Sequence, residues 1–208
     1  MLAVLDVARD RRPHQLRRQR SRETGLKLVE LGFREVVGVE PSSAPIAAAP
    51  SSVRGLIRQG LFPAGEFAPG HFSLISCFQT LEHVAEPRAL LESVRRLLQP
   101  RGAFVTVCHD HSAFVNRVLS TRSPIFDIEH LQLFSPRSLK KTLKAAGFEG
   151  VQVFALRNRY PFSYWLRLMP LPAKAKTALY ALSTRIGLAG VPIELPVGNM
   201  MAIGFQPA

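Results

Sequence analysis

Residues Phe72 to Gly102, FSLISCFQTLEHVAEPRALLESVRRLLQPRG, constrain the fold more than any other stretch, because they spell a buried strand, a loop and an amphipathic helix in succession. Phe72 to Phe78 is apolar apart from Ser73 and Ser76, the composition of a parallel strand covered on both faces. Pro87 suits a first helical position, since its φ is fixed and its missing N–H would have no helical partner there. Leu90, Leu91, Val94, Leu97 and Leu98 then fall on one stripe, and Pro100 and Gly102 are expected to end the helix. Ala103 to Val107 reads as the next strand, which completes a βαβ unit. The loop Gln79 to Glu86 therefore lies at a carboxyl end of the sheet, where open α/β sheets bind ligands.

The flanking sequence extends this unit. Leu2 to Val7 reads as a first strand and Val36 to Val39 as a second, with a helix between them centred on Leu26 to Leu31 and closed by Gly32, the opening of a Rossmann-like half. Val53 to Ile57 is expected as a weak third strand, followed by a turn-rich connection from Gly60 to Gly70. Ser135 can cap a helix begun by Pro136, with Leu139 and Leu143 facing the core and Gly147 ending it. Phe148 to Leu156 and Asn199 to Phe205 read as sixth and seventh strands.

Composition narrows the class. The 208 residues suffice for one well-buried domain, and no run of eighteen apolar residues suggests a transmembrane span. MLAVLDV is too short for a signal-peptide core and is followed by arginines, so a cytoplasmic location is expected. Cys77 and Cys108 are read as reduced thiols. The net charge of +12 is concentrated, since seven arginines between Arg9 and Arg22 face only Asp10 and supply six of the twelve excess charges. That piece has no aromatic residue for base stacking, so a solvated basic loop is expected and no specific nucleic-acid partner.

The wording LISCFQTLEHVAEPRALLESVRRLLQPRGAFVTV resembles the segment of class I S-adenosylmethionine-dependent methyltransferases that runs from the fourth strand through the fifth. VVGVEPS at Val36 to Ser42 is similar to that family's second strand with its terminal acid, and HLQLFSPRSLKKTLKAAGF at His130 to Phe148 to its later helix. The resemblance, of the methyltransferase type 11/12/23 kind, implies an α/β Rossmann-like methyltransferase fold: a mostly parallel seven-stranded sheet ordered 3-2-1-4-5-7-6, with helices on both faces. It implies S-adenosyl-L-methionine as cofactor and methyl transfer to a small-molecule or lipid/glycan-linked acceptor.

Site residues follow from the matched positions. Glu40 ends the second strand, where a carboxylate can accept hydrogen bonds from both ribose hydroxyls. Asp6 stands for the acid of the family's first motif. Leu61 and Phe62 follow the third strand on the adenine side, and this chain has no acid there until Glu66. Gln79 and Thr80 are expected to line the sulfonium end. Glu82 and His83 complete the family's LEH wording, with His83 a candidate general base or a loop-fixing residue. His109, His111 and His130 are expected on the substrate side. No metal is expected, because adjacent residues on an extended segment point to opposite faces and no ligand pair has zinc-like spacing.

The chain departs from the family after its first strand. A glycine-rich turn lets the backbone approach the methionine part of the cofactor; here ARDRRPHQLRRQRSRETG has no glycine until Gly25. Either this segment comes from a shifted reading frame or the chain is a divergent relative, and in both cases weak cofactor binding is expected. The expected organisation is a methyltransferase-like domain over 1–156 and 194–208, with 8–24 as the atypical basic segment and 157–193 as an inserted helical lid or surface segment. Residues 157–190 carry aromatic and basic residues with no acid between Glu149 and Glu194, a composition suited to a lid or to peripheral contact with an anionic membrane. The alternative to an enzyme is a non-catalytic methyltransferase-like binding or interaction module.

Overall fold

The computed structural model describes residues 2–7, 33, 35–62, 67–169 and 171–208. Segment 8–24, the helix expected around Leu26 to Leu31 and Glu66 lie outside them. Seven strands, β1 (Leu2–Val7), β2 (Glu35–Glu40), β3 (Ile57–Gln59), β4 (Phe72–Phe78), β5 (Leu98–His109), β6 (Glu149–Pro161) and β7 (Pro192–Phe205), form one sheet in the order β3-β2-β1-β4-β5-β7-β6. This is the order implied by the family resemblance. The described helices are α1 (Ser43–Ala47), α2 (Ser51–Arg54), α3 (Pro87–Leu97), α4 (Phe114–Leu119), α5 (Pro136–Ala145), α6 (Phe162–Leu168) and α7 (Ala173–Arg185).

Strand direction brings the first correction. β2 pairs β3 in parallel and β4 pairs β5 in parallel, while β7 is antiparallel to β5 and β6. β1 is antiparallel to both β2 and β4, with Asp6 opposite Val36 and Leu74 and Ala3 opposite Val39 and Cys77. Strands β2 to β6 thus share one direction and β1 and β7 oppose it. The expected parallel βαβ opening is not formed: β1 ends at the edge where β2 and β4 begin.

Period-two alternation sorts the sheet residues into two cores. Ile75 and Cys77 of β4, Phe104 and Cys108 of β5 and Met200 and Ala202 of β7 face one side, where Leu90, Leu91, Val94 and Leu97 of α3 and Leu139 and Leu143 of α5 cover them. Leu74, Ala103 and Val105 face the other side, joined by Val36 and by partly buried Phe33 and Leu56. Arg95 of α3 locks the first layer: its Nε donates to Gln206 Oε1 at 3.0 Å and its Nη1 to the Ala146 carbonyl at 3.0 Å. Gly147 closes α5 at φ +88°, and a Cβ there would fall on the Arg95 guanidinium.

Element ends shift in three places. Val53 lies in α2, not in the third strand, and β3 starts at Ile57, so the expected Val53 to Ile57 strand is displaced toward its carboxyl side. α3 gives way directly to extended backbone at Leu98, and β5 runs through Pro100 and Gly102 instead of starting after them. β6 and β7 pair outward as far as Pro161 opposite Pro192, so residues 157–161 and 192–193 lie in the sheet, and α6 and α7 come between the two strands. The cap at α5 is as expected, with Ser135 Oγ accepting the Ser138 N–H and Ser138 Oγ accepting the Ser135 N–H.

Candidate active site

The carboxyl ends of β2, β3, β4 and β5 lie along one edge of the sheet, and most of the chemically capable side chains collect there. Glu40 ends β2 almost fully buried, 1% exposed. Its Oε1 accepts the Ser42 N–H at 2.9 Å, and its carbonyl accepts the Gly60 N–H at 3.1 Å, which fixes the loop after β3 beside it. A solvated strand-end acid is therefore excluded. In that loop Leu61 is 75% exposed, whereas Phe62 packs on the edge of the main core.

Gln79 follows β4 at φ +50°, a left-handed conformation that costs a non-glycine residue free energy and is held here by its N–H bond to the Val107 carbonyl at 2.8 Å. Thr80 turns inward: it is buried, and its hydroxyl donates to the Phe78 carbonyl at 3.0 Å. Leu81 to His83 then form one 3-10 turn.

That turn is zipped to the segment before α5. The Glu82 carbonyl accepts the Leu131 and Gln132 N–H groups at 2.9 and 3.3 Å, and Gln132 Nε2 donates to the carbonyls of Leu81 and Val84. The Glu82 side chain is fully buried and reaches the end of β5, where its Oε1 accepts the His109 N–H at 2.5 Å and lies 3.1 Å from His109 Nδ1. His83 Nδ1 donates to the Glu129 carbonyl at 2.7 Å, which leaves its Nε2 with the lone pair. The His130 ring lies 4.6 Å from that of His83 and 5.2 Å from that of His109.

His130 Nδ1 sits 2.9 Å from Asp127 Oδ1, which also accepts the N–H groups of Glu129 and His130. Desolvation pushes the Asp127 carboxyl up, but these N–H donors and the His130 ring outweigh it and hold the acid below its ordinary value.

His83, His109 and His130 are thus brought together with Glu82. His111 is exposed and, through its N–H to the Phe134 carbonyl, serves the backbone of the next segment. Asp6 is set at the opposite edge by its register with Val36 and Leu74, because β1 runs in the reverse direction; it does not join Glu40 and Gln79. Burial pushes the Cys77 thiol up to about 12 and the Cys108 thiol higher still, so neither is a nucleophile near neutral pH.

Among the described residues, three buried side-chain atoms lack a protein hydrogen-bond partner: Gln79 Oε1, Glu82 Oε2 and Asn199 Oδ1. All three lie where β4 and β5 end, since Asn199 pairs with His109 in β7. Buried polar atoms without partners are uncommon in folded proteins, and their convergence on one sheet edge marks a place built to receive polar groups. Sequence reading singles out Gln79 but gives Glu82 no separate role and passes over Asn199 and Asp127. Only the placement of Glu82 after β4 and of His109 at the end of β5, both at carboxyl ends, signals that they meet.

Comparison with known proteins agrees with this architecture. The family model described as a methyltransferase domain matches residues 22–153, more than half of the chain. Ubiquinone biosynthesis O-methyltransferase from Paracidovorax citrulli (strain AAC00-1) is 26% identical over 110 residues, covering 47% of this chain and 46% of that protein, so the chain matches less than half of this relative's length. A SAM-dependent methyltransferase from Archaeoglobus fulgidus superposes with a TM-score of 0.60 at 12% identity, covering 89% of this chain and 82% of that one. Another from Thermotoga maritima gives 0.54 at 18% identity, covering 81% and 72%. These likenesses establish the shared fold, and with the family match they show that the chain belongs to the methyltransferase-domain family of class I S-adenosylmethionine-dependent methyltransferases.

Proposed function

We propose that this chain holds S-adenosylmethionine along the β2–β4–β5 carboxyl edge and directs its methyl group to a small-molecule or lipid-linked acceptor beside His83, His109 and His130. The observation that carries this reading is the set of orphaned acceptors, Gln79 Oε1, Glu82 Oε2 and Asn199 Oδ1, on the same edge as the buried Glu40 carboxylate. Glu40 is suited to accept the ribose hydroxyls, and Gln79 Oε1 to accept an ammonium donor of the methionine part. Leu61 and Phe62 offer apolar surface for a purine. The cofactor supplies an electrophilic methyl on a sulfonium sulfur, so the residues of this chain have mainly to orient the acceptor and exclude water. His83 Nε2 carries a lone pair able to take the proton that the acceptor loses.

Part of the site does not fit. β1 ends at the edge opposite Glu40, with Val7 paired to Glu35 at the start of β2, so the first strand does not deliver its carboxyl end to the methionine position. This observation favours the second reading, a non-catalytic module on a methyltransferase fold. Calorimetric titration with S-adenosylhomocysteine separates the two: saturable one-to-one binding supports the enzyme, and no heat at millimolar ligand leaves the binding module.

The acceptor side extends toward the insert. Leu168, Tyr180, Leu182 and Ile186 are each more than half exposed, and α7 buries only Ser183. With Lys174 and Arg185 nearby and no acid between Glu149 and Glu194, this pair of helices suits peripheral contact with an anionic lipid surface that would present a lipid-linked acceptor. No helix among the described residues is long and apolar enough to cross a membrane.

A further inference from the structure

We propose that Glu82, His109 and His130 form a binding site for a divalent transition-metal cation of the Zn2+ type. One ligand atom from each of the three lies within 4.8 Å of the others, although they come from the turn after β4, the end of β5 and the loop before α5.

Three observations point to a cation. The first is the charge at Glu82. A fully buried carboxylate is costly without compensation, and among the described residues no Lys or Arg forms an ion pair with it. One of its oxygens is used by the His109 N–H and ring, while Oε2 has no partner. The second is the tautomer of His130. Its Nδ1 donates to Asp127, so Nε2 holds the free lone pair in a ring only 8% exposed. A carboxylate that orients a histidine in this way is the usual outer partner of a metal-bound imidazole. The third is the ligand set: two imidazoles and one carboxylate suit a borderline cation such as Zn2+ better than Mg2+ or Ca2+, which favour oxygen.

Tetrahedral coordination with bonds near 2.0–2.1 Å separates ligand atoms by about 3.4 Å. The widest separation must therefore contract by up to about 1.4 Å, within reach of side-chain rotation. Three protein ligands leave a fourth position open. On the methyl-transfer reading, on which this last clause rests, that position faces the acceptor and would take its oxygen or nitrogen.

The test uses the full chain without a histidine tag, freed of metal by chelator and titrated with Zn2+ against a chromophoric chelator. Co2+ serves as the spectroscopic probe. One equivalent per chain is expected, with affinity reduced about tenfold or more in Glu82→Gln and in His130→Gln, and by a similar factor in Asp127→Asn. His71→Gln, at the opposite edge beside Glu35, should bind as the unmodified chain does. Circular dichroism checks each fold, and if Glu82→Gln does not fold, His130→Gln and Asp127→Asn decide. Absence of stoichiometric binding, or binding undiminished in these variants, overturns the site. S-adenosylhomocysteine titrated into the same samples keeps the two questions apart, because its failure to bind while Zn2+ binds counts against methyl transfer alone.

Discussion

Alkaline pH should destabilise this protein through its two cysteines by an amount that the structure sets. Cys77 is 3% exposed and Cys108 fully buried, and desolvation raises the Cys77 thiol from its ordinary value of 9.0 to about 12 and the Cys108 thiol beyond it. A thiol whose folded value is raised binds its proton more tightly in the folded chain. Its stabilising contribution is therefore complete below about pH 9 and is lost as pH rises toward the folded value. At pH 10 the unfolded thiol gains on the order of 1 kcal/mol from ionising and the folded thiol almost nothing, so the two together cost roughly 2–3 kcal/mol between pH 8 and pH 10. The figure barely depends on the folded value once that exceeds about 11. Urea denaturation at the two pH values, compared with a Cys77→Ala/Cys108→Ala protein, removes the contribution of lysines and tyrosines. An equal loss of stability in both proteins refutes the reasoning, as does rapid labelling of either thiol by Ellman's reagent in the native state.

Three further outcomes follow from the structure. Gly147→Ala forces a Cβ into a left-handed position occupied by the Arg95 guanidinium, and should cost roughly 1–3 kcal/mol in chemical denaturation; a loss under a few tenths would mean that the Arg95 lock is slack. Because β1 ends at the edge opposite Glu40, replacing Ala8 to Thr24 with a short GxGxG-type turn should leave S-adenosylmethionine affinity unchanged, and a clear tightening would refute the antiparallel placement of β1. Anionic liposomes should pellet the full chain more than a Lys174→Glu/Leu182→Glu protein. Equal, negligible pelleting removes the membrane reading. Trp165 is unsuitable for that test, because it is buried and its Nε1 donates to the Ile193 carbonyl at 3.0 Å.

The β4–α3–β5 unit is legible in the sequence because its apolar periods change from two to 3.6 and back, and because Pro87 marks the helix start. The direction of β1 is not legible, since period-two alternation buries the same residues whichever way a strand runs. The outer parts of β6 and β7 are hidden for a related reason: Arg157, Asn158 and Arg159 are polar residues on a ribbon with little core beneath it, and their pairing with the strand before Asn199 is long-range. At the site, Glu40, Gln79 and His83 stand out from their places at strand ends. The Glu82 cluster does not, because its partners are distant in sequence: 27 residues separate Glu82 from His109, and 46 separate His83 from the Glu129 carbonyl it bonds. Ligand-spacing rules search local intervals and pass over a group assembled by the sheet edge.

The claim that the β2–β4–β5 carboxyl edge is the cofactor site is tested most directly at Glu40. Its buried carboxylate is positioned to receive two ribose hydroxyls, and Glu40→Gln preserves its shape while removing the charge that strengthens those bonds. Calorimetric titration of the full chain and the Glu40→Gln protein with S-adenosylmethionine should give weak, saturable binding to the first. Binding to the second should be weaker by about 5- to 150-fold, corresponding to roughly 1–3 kcal/mol. Equal affinity of the two folded proteins would contradict the assignment of this edge to the cofactor.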